Sequence, residues 1–403
     1  MSTFETSEPE PVSILFVHAS DELYGSDRAL LEIIRGLDGR IFRPVVILPD
    51  DLPYEGFLSA ELARLGISVR KMDLAVVRRS TLRWRDGPRL MMRLGRSVFR
   101  LSRLIREERI GLVHTNTIVV WPGAFAALLC RVPHVWHVHE VLGGPRALRV
   151  LAGRVVVALS AAVVTNSGAT TSALVGTRPP LRVELVPNGV EVPAVSPSTR
   201  DRVRRDWGVS DERTVVFGAI GRISARKGLS DLLAAFAQAR AGDTGFHLVL
   251  AGSTVPGQES QLDQLESLAI QLGLGPHVTF TGFFRDPAEI VAGIDVLVMP
   301  VLRPESFGLA AAEAMAAGKP VIASNLPALD ELVANDETGI LVPPGDVPAL
   351  AGAIRRLAAD RALRESFGQA GRKRIEECFS LAAYRHRFAS LYARLSAVAS
   401  GRL

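Results

Sequence analysis

Two glutamates eight residues apart, Glu305 and Glu313, flank a short turn in the segment PESFGLAAAEAMAAGKPVIAS at 304–324. The apolar stretch Asp295–Pro300 reads as a strand, Pro304–Gly308 as a turn, and Leu309–Ala317 as a helix that opens beneath the turn, with small residues that let it pack close to a sheet. The first backbone N–H groups of such a helix lack intrahelical partners, and its dipole brings partial positive charge to the carboxyl end of the strand. A phosphate suits that position. Were the whole stretch helical, the two carboxylates would stand about 12 Å apart along the axis and bracket the phosphate. A nucleotide sugar has this layout, with a hydroxyl-rich hexose, a diphosphate and a hydroxyl-rich ribose, and carboxylates accept from paired hydroxyls. Two glutamates on a solvated helix surface are the ordinary alternative; Gly308 and the strand-end position weigh against it.

A second piece is AIGRISARKGL at 219–229, where Gly221 and Gly228 bound a loop carrying Arg222 and Lys227. Two cations at a sheet's carboxyl edge neutralise a diphosphate, the arginine as a planar fork and the lysine as a point charge. A departing diphosphate accumulates negative charge, and fixed cations lower that barrier without a metal. The chain has no DxD motif and no Cys/His cluster at zinc spacing, so neither a metal nor another cofactor is expected. Taken alone, a basic loop is usually solvated surface.

Weaker signals lie earlier in the chain. WHVHE at 136–140 closes a strand and is expected to aim His137 and His139 in opposite directions, so that one faces a cleft. A lone histidine is more often a satisfied core or surface residue than a catalyst. Asn116 ends another strand, and the loop ELYGSDRAL places Gly25 and Ser26 at a helix start where backbone could approach a ligand.

The elements that must hold these residues alternate. Apolar runs at Ser13–His18, Arg43–Leu48, Gly111–His114, His134–Val138 and Val163–Asn166 read as strands, with helical patterns at Arg28–Leu37, near Gly56–Leu65 and near Gly123–Leu129. A Pro-rich break at Val192–Thr199 reads as a linker before a polar helix around Arg200–Trp207. Strands then recur at Thr214–Ile220, His247–Ala251, His277–Thr281, Asp295–Pro300 and Pro320–Ser324. The fold class expected is α/β, two Rossmann-like doubly wound domains, 1–195 and 200–379, separated by a cleft. Leu381–Leu395 reads as one amphipathic helix carrying Tyr384, Phe388, Leu391 and Leu395.

Composition bounds the rest. At 403 residues the chain calls for two domains or more, and 48% apolar with 22% charged residues excludes long disorder, collagen-like repeats and coiled coil. The longest apolar runs, 117–130 and 155–164, fall short of the roughly 18 residues that cross a bilayer. The first eleven residues lack the cationic start of a secretory signal and the only cysteines are Cys130 and Cys378, so a reducing cytoplasm is the expected compartment.

With these residues in view, the chain resembles the retaining GT-B glycosyltransferases of family 4, marked by E-x7-E. That motif is Glu305 to Glu313, in the context E-x-F-G-L, A-x-G-K-P-V-I-A and T-G-I-L-V-P-P-G-D, with V-P-N-G-V at 186–190 and G-R-(x4)-K-G at 221–228 in the expected order. The resemblance spans nearly the whole chain. It implies a donor-binding second domain, an acceptor-binding first domain, and a last helix, 380–403, that crosses back onto the first. It assigns Glu313 to ribose hydroxyls, Glu305 to the donor hexose, Arg222 and Lys227 to the diphosphate, backbone amides near Gly308 and Leu309 to the phosphates, and Gly282, Phe283 and Phe284 to the neighbourhood of the base, and it counts Phe307 and Gly221 among the donor-binding residues. His139 resembles the family's cleft histidine, and metal independence is a further implication. The family's first loop commonly carries a Gly-Gly pair where this chain has Tyr24-Gly25.

Between Arg70 and Arg109 there are thirteen Lys or Arg against four acids. On a helix over 83–106, Leu90, Leu94, Val98, Leu101 and Ile105 share one face while Arg89, Arg93, Arg96, Arg100 and Arg103 share the other. Such a face suits peripheral contact of 70–109 with an anionic membrane, or it is simply solvated. No recognition motif points to nucleic acid. The expected activity is transfer of a sugar from a UDP- or GDP-sugar, held as a co-substrate, to a hydroxyl of a glycan, a lipid-linked glycan or a small acceptor. A nucleotide-sugar epimerase lacks the E-x7-E context, no lysine sits in a setting that suggests a phosphorylase's pyridoxal cofactor, and intact Glu305, Glu313, Arg222 and Lys227 speak against a non-catalytic membrane-associated scaffold.

Overall fold

The computed structural model describes residues 10–52, 56–77, 87–141, 143–192, 196–240, 245–254, 257–284 and 286–399. The chain divides into two units, one formed by Met1–Pro187 with Ala382–Leu403 and the other by Asn188–Leu381.

In the first unit the order is β1 (Val12–Val17), α1 (Gly25–Arg35), β2 (Phe42–Pro49), α2 (Phe57–Arg64), β3 (Ser68–Met72), α3 (Gly87–Glu107), β4 (Ile110–Thr115), α4 (Pro122–Cys130), β5 (His134–Val138), α5 (Arg146–Ala158), β6 (Ala162–Thr165), α6 (Gly168–Val175) and β7 (Val183–Leu185). Among the described residues the strands form one parallel sheet in the order β3-β2-β1-β4-β5-β6-β7. Leu15 pairs with Val45 on one side and Val113 on the other, all buried. The central strands are apolar on both faces because helices cover both. The outer strands β3 and β7 are short and partly exposed.

The second unit runs α7 (Pro197–Asp206), β8 (Val215–Ile220), α8 (Leu229–Arg240), β9 (Phe246–Ala251), α9 (Ser260–Gln271), β10 (Val278–Gly282), α10 (Pro287–Gly293), β11 (Val296–Met299), α11 (Leu309–Ala316), β12 (Val321–Ser324), α12 (Leu329–Leu332), β13 (Gly339–Val342), α13 (Val347–Ala359) and α14 (Arg361–Cys378). Its sheet order is β10-β9-β8-β11-β12-β13. Two apolar layers sandwich it, one centred on Phe217, Phe236 and Ile354, the other on Leu297, Met315 and Ile375.

Both sheets reverse direction beside their first strand, between β1 and β4 and between β8 and β11. In an open parallel sheet the loops leaving such a pair part to opposite faces and open a crevice at the strands' carboxyl ends, where ligands bind. α15 (Leu381–Ala399) belongs to the first unit from Ala382 onward. Tyr384 donates from its hydroxyl to the Ala29 carbonyl, and Tyr392, fully buried, reaches Nδ1 of His114 at 2.8 Å.

The linker expected at Val192–Thr199 is displaced. Ser196 accepts from the amide of Thr199 and Pro197 occupies the first turn of α7, so that part of the Pro/Ser run starts a helix, while 193–195 lie outside the described residues. The units divide earlier, at Pro187–Asn188.

Candidate functional site

In the second unit the loops leaving β8 and β11 are tied together. Gly221 donates to the Ala251 carbonyl, Leu302 donates to the Arg226 carbonyl at 2.9 Å, and the Arg226 guanidinium reaches the Pro304 carbonyl at 3.3 Å. Ala225–Lys227 form a 3-10 turn closed by Gly228 at φ +66°. A Cβ there would stand 1.9 Å from the Pro300 carbonyl oxygen, so only glycine lets the basic turn lie on the end of β11. Gly221, Arg222, Lys227, Met299 and Pro300 line one concavity at this edge.

Glu305 faces that turn. Its Oε1 accepts from Lys227 Nζ at 2.8 Å and lies 3.0 Å from Arg226, with the carboxylate largely buried. Gly308, at φ +94°, turns the chain into α11, and no side chain caps the first amides of that helix. Glu313 sits half-buried just over one turn into α11. The 12 Å spacing expected of a continuous helix does not apply, because α11 begins only at Leu309 and Glu305 precedes it in the turn. Phe283 is 41% exposed and stacks on Phe284 beside Gly282, whereas Phe307 is buried with its ring edge-on to Phe379. Phe307 thus anchors the turn from the core side; its ring is not a contact surface for a ligand. Leu309 packs half-buried against the same core layer.

The first unit gathers a polar network at the ends of β1, β4 and β5. Asn116 is its centre: its Nδ2 donates to the Ser26 carbonyl at 3.1 Å and its Oδ1 accepts from His139 Nε2 at 3.0 Å. The carboxamide therefore fixes His139 as the Nε2–H tautomer, with Nδ1 left as an acceptor. His18 bridges Asn116 and Asp27, and Ser20 donates to Asp27 at 2.6 Å. Burial raises the Asp27 carboxyl, but the bonds from His18 and Ser20 outweigh it and hold the group below the usual range. Burial pushes His139 down to about 3, so its imidazole is neutral at physiological pH. Glu140 is pushed up by burial despite accepting from the Thr117 hydroxyl and the amides of Ile118 and His139. Gly25 opens α1 behind the Tyr24 cap, which brings Ser26 to Asn116.

His137 and His139 do not point apart. Their ring centroids are 3.8 Å from each other, because residues two apart on a strand share a face. His137 is fully buried, packed against Phe388 of α15. On α3, Arg93 is not on the open basic face: it turns in to Asp73 at 2.6 Å and Asp51 at 3.1 Å. The arginines at 78, 79, 83 and 85 lie outside the described residues. Exposed Met92 and Phe99 share the outer side of α3 with Arg89, Arg96 and Arg100, while exposed Met91 lies on another flank.

Of the residues at these two places, sequence reasoning named Asn116, His139, Arg222, Lys227, Glu305 and Glu313 but not Arg226, Asp27, His18 or Glu140. Arg226 stood between two named cations in the same loop, and the strand-end position of His18 was the available signal for the network.

Comparison with known proteins identifies the family and the fold. The family model "Glycosyl transferases group 1" matches residues 200–374 and the model "Glycosyltransferase Family 4" matches residues 24–193. The chain is 35% identical over 165 residues to the capsular polysaccharide biosynthesis glycosyltransferase CapM of Staphylococcus aureus, a match over 41% of this chain and 42% of that one. Against the alpha-maltose-1-phosphate synthase of Mycolicibacterium smegmatis it is 30% identical over 324 residues, 74% of this chain and 82% of the relative. The matches to several curated relatives, CapM among them, span less than half their length. The crystal structure of Anabaena Alr3699/HepE in complex with UDP-glucose superposes with a TM-score of 0.78 at 25% identity, covering 95% of this chain and 99% of that one. With both sheets, both family models and a relative matched over most of its length in agreement, the chain belongs to the group 1 and family 4 glycosyltransferases and has their GT-B fold.

Proposed function

We propose that the protein transfers a hexose from a nucleoside diphosphate to a hydroxyl acceptor with retention of configuration and without a metal. The observation that carries this reading is the convergence of Arg222, Arg226, Lys227, Glu305 and the start of α11 at the switch point of one sheet. The cations and the helix start receive the diphosphate, and their charge stabilises it as it departs. Glu305 takes hexose hydroxyls and Glu313 the ribose. Gly282, Phe283 and Phe284 border the base, for which the exposed Phe283 ring offers a stacking face. In the first unit, neutral His139 offers Nδ1 to a sugar hydroxyl while Asn116 holds the ring. The oxygen of the departing phosphate takes the acceptor's proton, so no side-chain nucleophile is required. That a relative's crystal structure holds UDP-glucose supports a nucleotide-sugar donor.

A screen of UDP-, GDP- and ADP-sugars by donor hydrolysis and thermal shift tests the reading. One nucleotide class is expected to stabilise the protein and turn over, and Glu313→Ala to lose both; no response to any of them, or equal responses from wild type and variant, overturns it.

The acceptor reading extends to a lipid-linked glycan at the inner face of a membrane in the cytoplasm. The outer side of α3 supports it, since exposed Phe99 and Met92 among arginines form a surface that is both cationic and insertable. Among the described residues no helix is long and apolar enough to cross a membrane, so the contact is peripheral.

A further inference from the structure

The amino-terminal edge of the second unit's sheet carries a cavity that the transfer reaction does not use. It measures about 640 Å³ and opens where the chain enters β8, β11 and β12. β8 alone, six residues long, puts roughly 17 Å between this edge and the loop of Arg222. Its lining carries five cations against three acids.

The acids are largely accounted for. Asp295 accepts from Arg204 at 2.6 Å and from the Val216 amide at 2.8 Å, and Glu365 pairs with Arg361 at 2.7 Å. Glu212 is exposed at the rim. The cations are less compensated. Among the described residues the Lys319 ammonium has no hydrogen bond and no carboxylate within 4 Å, and the Arg213 guanidinium makes no ion pair. Arg200 reaches Asp201 and Asp295, each only at 3.8 Å. Lys319 is half-buried, and burial pulls its ammonium below the ordinary lysine range. A partly desolvated cation with no carboxylate in contact is costly to keep, since Asp295 acts on it only at longer range, and a cavity facing it is where a closer counter-ion belongs. The first turn of α14, an 18-residue helix, brings Arg361 and Arg364 to the lining, but the Asp360 carboxylate caps that helix start, Arg361 is paired with Glu365 and Arg364 donates to the Leu357 and Ala358 carbonyls, so Lys319, Arg213 and Arg200 are the cations left to a ligand.

We propose that this cavity is a second anion site, binding a phosphate group, either inorganic phosphate or the phosphate of a monoester, through Lys319 with Arg213 and Arg200. The volume accommodates more than a bare phosphate, as ligand pockets of this size do. The site stands at the opposite edge of the sheet from the candidate donor pocket, so it takes its ligand independently of the donor.

Thermal denaturation of the full chain, titrated separately with inorganic phosphate and with glucose 6-phosphate, tests this. At about ten times the dissociation constant the wild-type midpoint should rise by about 3 °C. Lys319→Met should keep or raise the ligand-free midpoint, since it replaces an uncompensated ammonium with an apolar group of similar length, and should weaken the response about tenfold. Arg213→Ala, at an exposed position, should weaken it similarly. Arg222→Ala, in the candidate donor pocket, should leave it intact. A larger response to the ester assigns the site to a phosphorylated metabolite, and an equal one to free phosphate. No shift with either probe, an unchanged shift in both Lys319→Met and Arg213→Ala, or its loss in Arg222→Ala overturns the proposal.

Discussion

Lys227 holds its ammonium 2.8 Å from Oε1 of Glu305, and the same oxygen lies 3.0 Å from Arg226. Without a ligand, the carboxylate assigned to the sugar neutralises the cations assigned to the diphosphate. Opposed charges a few ångströms apart, with the carboxylate largely buried, fix each other's rotamers, so the site is ordered before the donor arrives, and the donor must divide the pair between its two halves.

Glu305→Gln separates those roles. It frees Arg226 and Lys227 for phosphate, so affinity for the nucleoside diphosphate alone should rise about fivefold. Turnover should fall about 100-fold with the loss of a charged contact to the sugar. Calorimetry with the diphosphate and initial rates with the full donor measure the two effects; weaker diphosphate binding with undiminished turnover would contradict both assignments.

Two glycines of the second unit should differ in cost. Both Gly228 and Gly308 have positive φ, but a Cβ at 228 meets the Pro300 carbonyl at 1.9 Å, whereas one at 308 meets the Leu329 methyl at 2.6 Å. A backbone carbonyl cannot yield as a side-chain end can. Gly308→Ala should destabilise by about 1–2 kcal/mol and Gly228→Ala by about 3 kcal/mol or more in urea unfolding. Equal losses would mean that the loop's close approach to β11 is not essential.

Acid should weaken the first unit. Burial holds His114, His134 and His139 down at about 3 and His137 well below its ordinary range. Between about pH 6.5 and 3 the unfolded chain therefore binds protons that the folded one excludes, and stability is lost as pH falls through that window. The slope is roughly 1.4 kcal/mol per pH unit for each fully titrating histidine. Glu140, raised by burial, works in the opposite sense but is one group against four. Urea midpoints at pH 7.5 and 5 should show the loss. His137→Phe should reduce it by about one proton, since neither ring nitrogen of His137 has a hydrogen bond. A midpoint independent of pH over this range would refute the buried neutral cluster.

Vesicle binding checks the outer side of α3. Charge reversal at Arg96 and Arg100 together with Phe99→Ser should reduce binding to vesicles rich in anionic lipid by about tenfold or more, at roughly 1 kcal/mol per basic residue and more for the ring. Arg93→Glu should instead destabilise the fold, because it places a third acid beside Asp51 and Asp73. Unchanged vesicle binding in the triple variant would leave α3 a solvated helix.

The central strands were legible because each is a short apolar run covered on both faces; His134–Val138 was placed to the residue. β3 and β7 escaped notice because neither is a buried apolar run: β3, SVRKM, is largely polar and partly exposed, and β7, VEL, is only three residues long; main-chain pairing with β2 and β6 places them in the sheet. The donor half of the candidate site was readable from Glu305, Gly308 and Glu313, whose types and spacing are local. The network around Asn116 was not. It joins residues 18, 27, 116 and 139, and only the strand order brings those positions together. His137 was misdirected by a slip in strand periodicity, and Phe307 by its proximity in sequence to Gly308.

The hydroxyl of Tyr392 on His114 also orders events on the ribosome. Residues 188–381 form one uninterrupted unit and can collapse as they emerge. The first unit, although translated earlier, must hold an open apolar seam until α15 has left the exit tunnel, with Phe388 and Tyr392 still to be supplied. The earlier-made half is therefore the later one to finish.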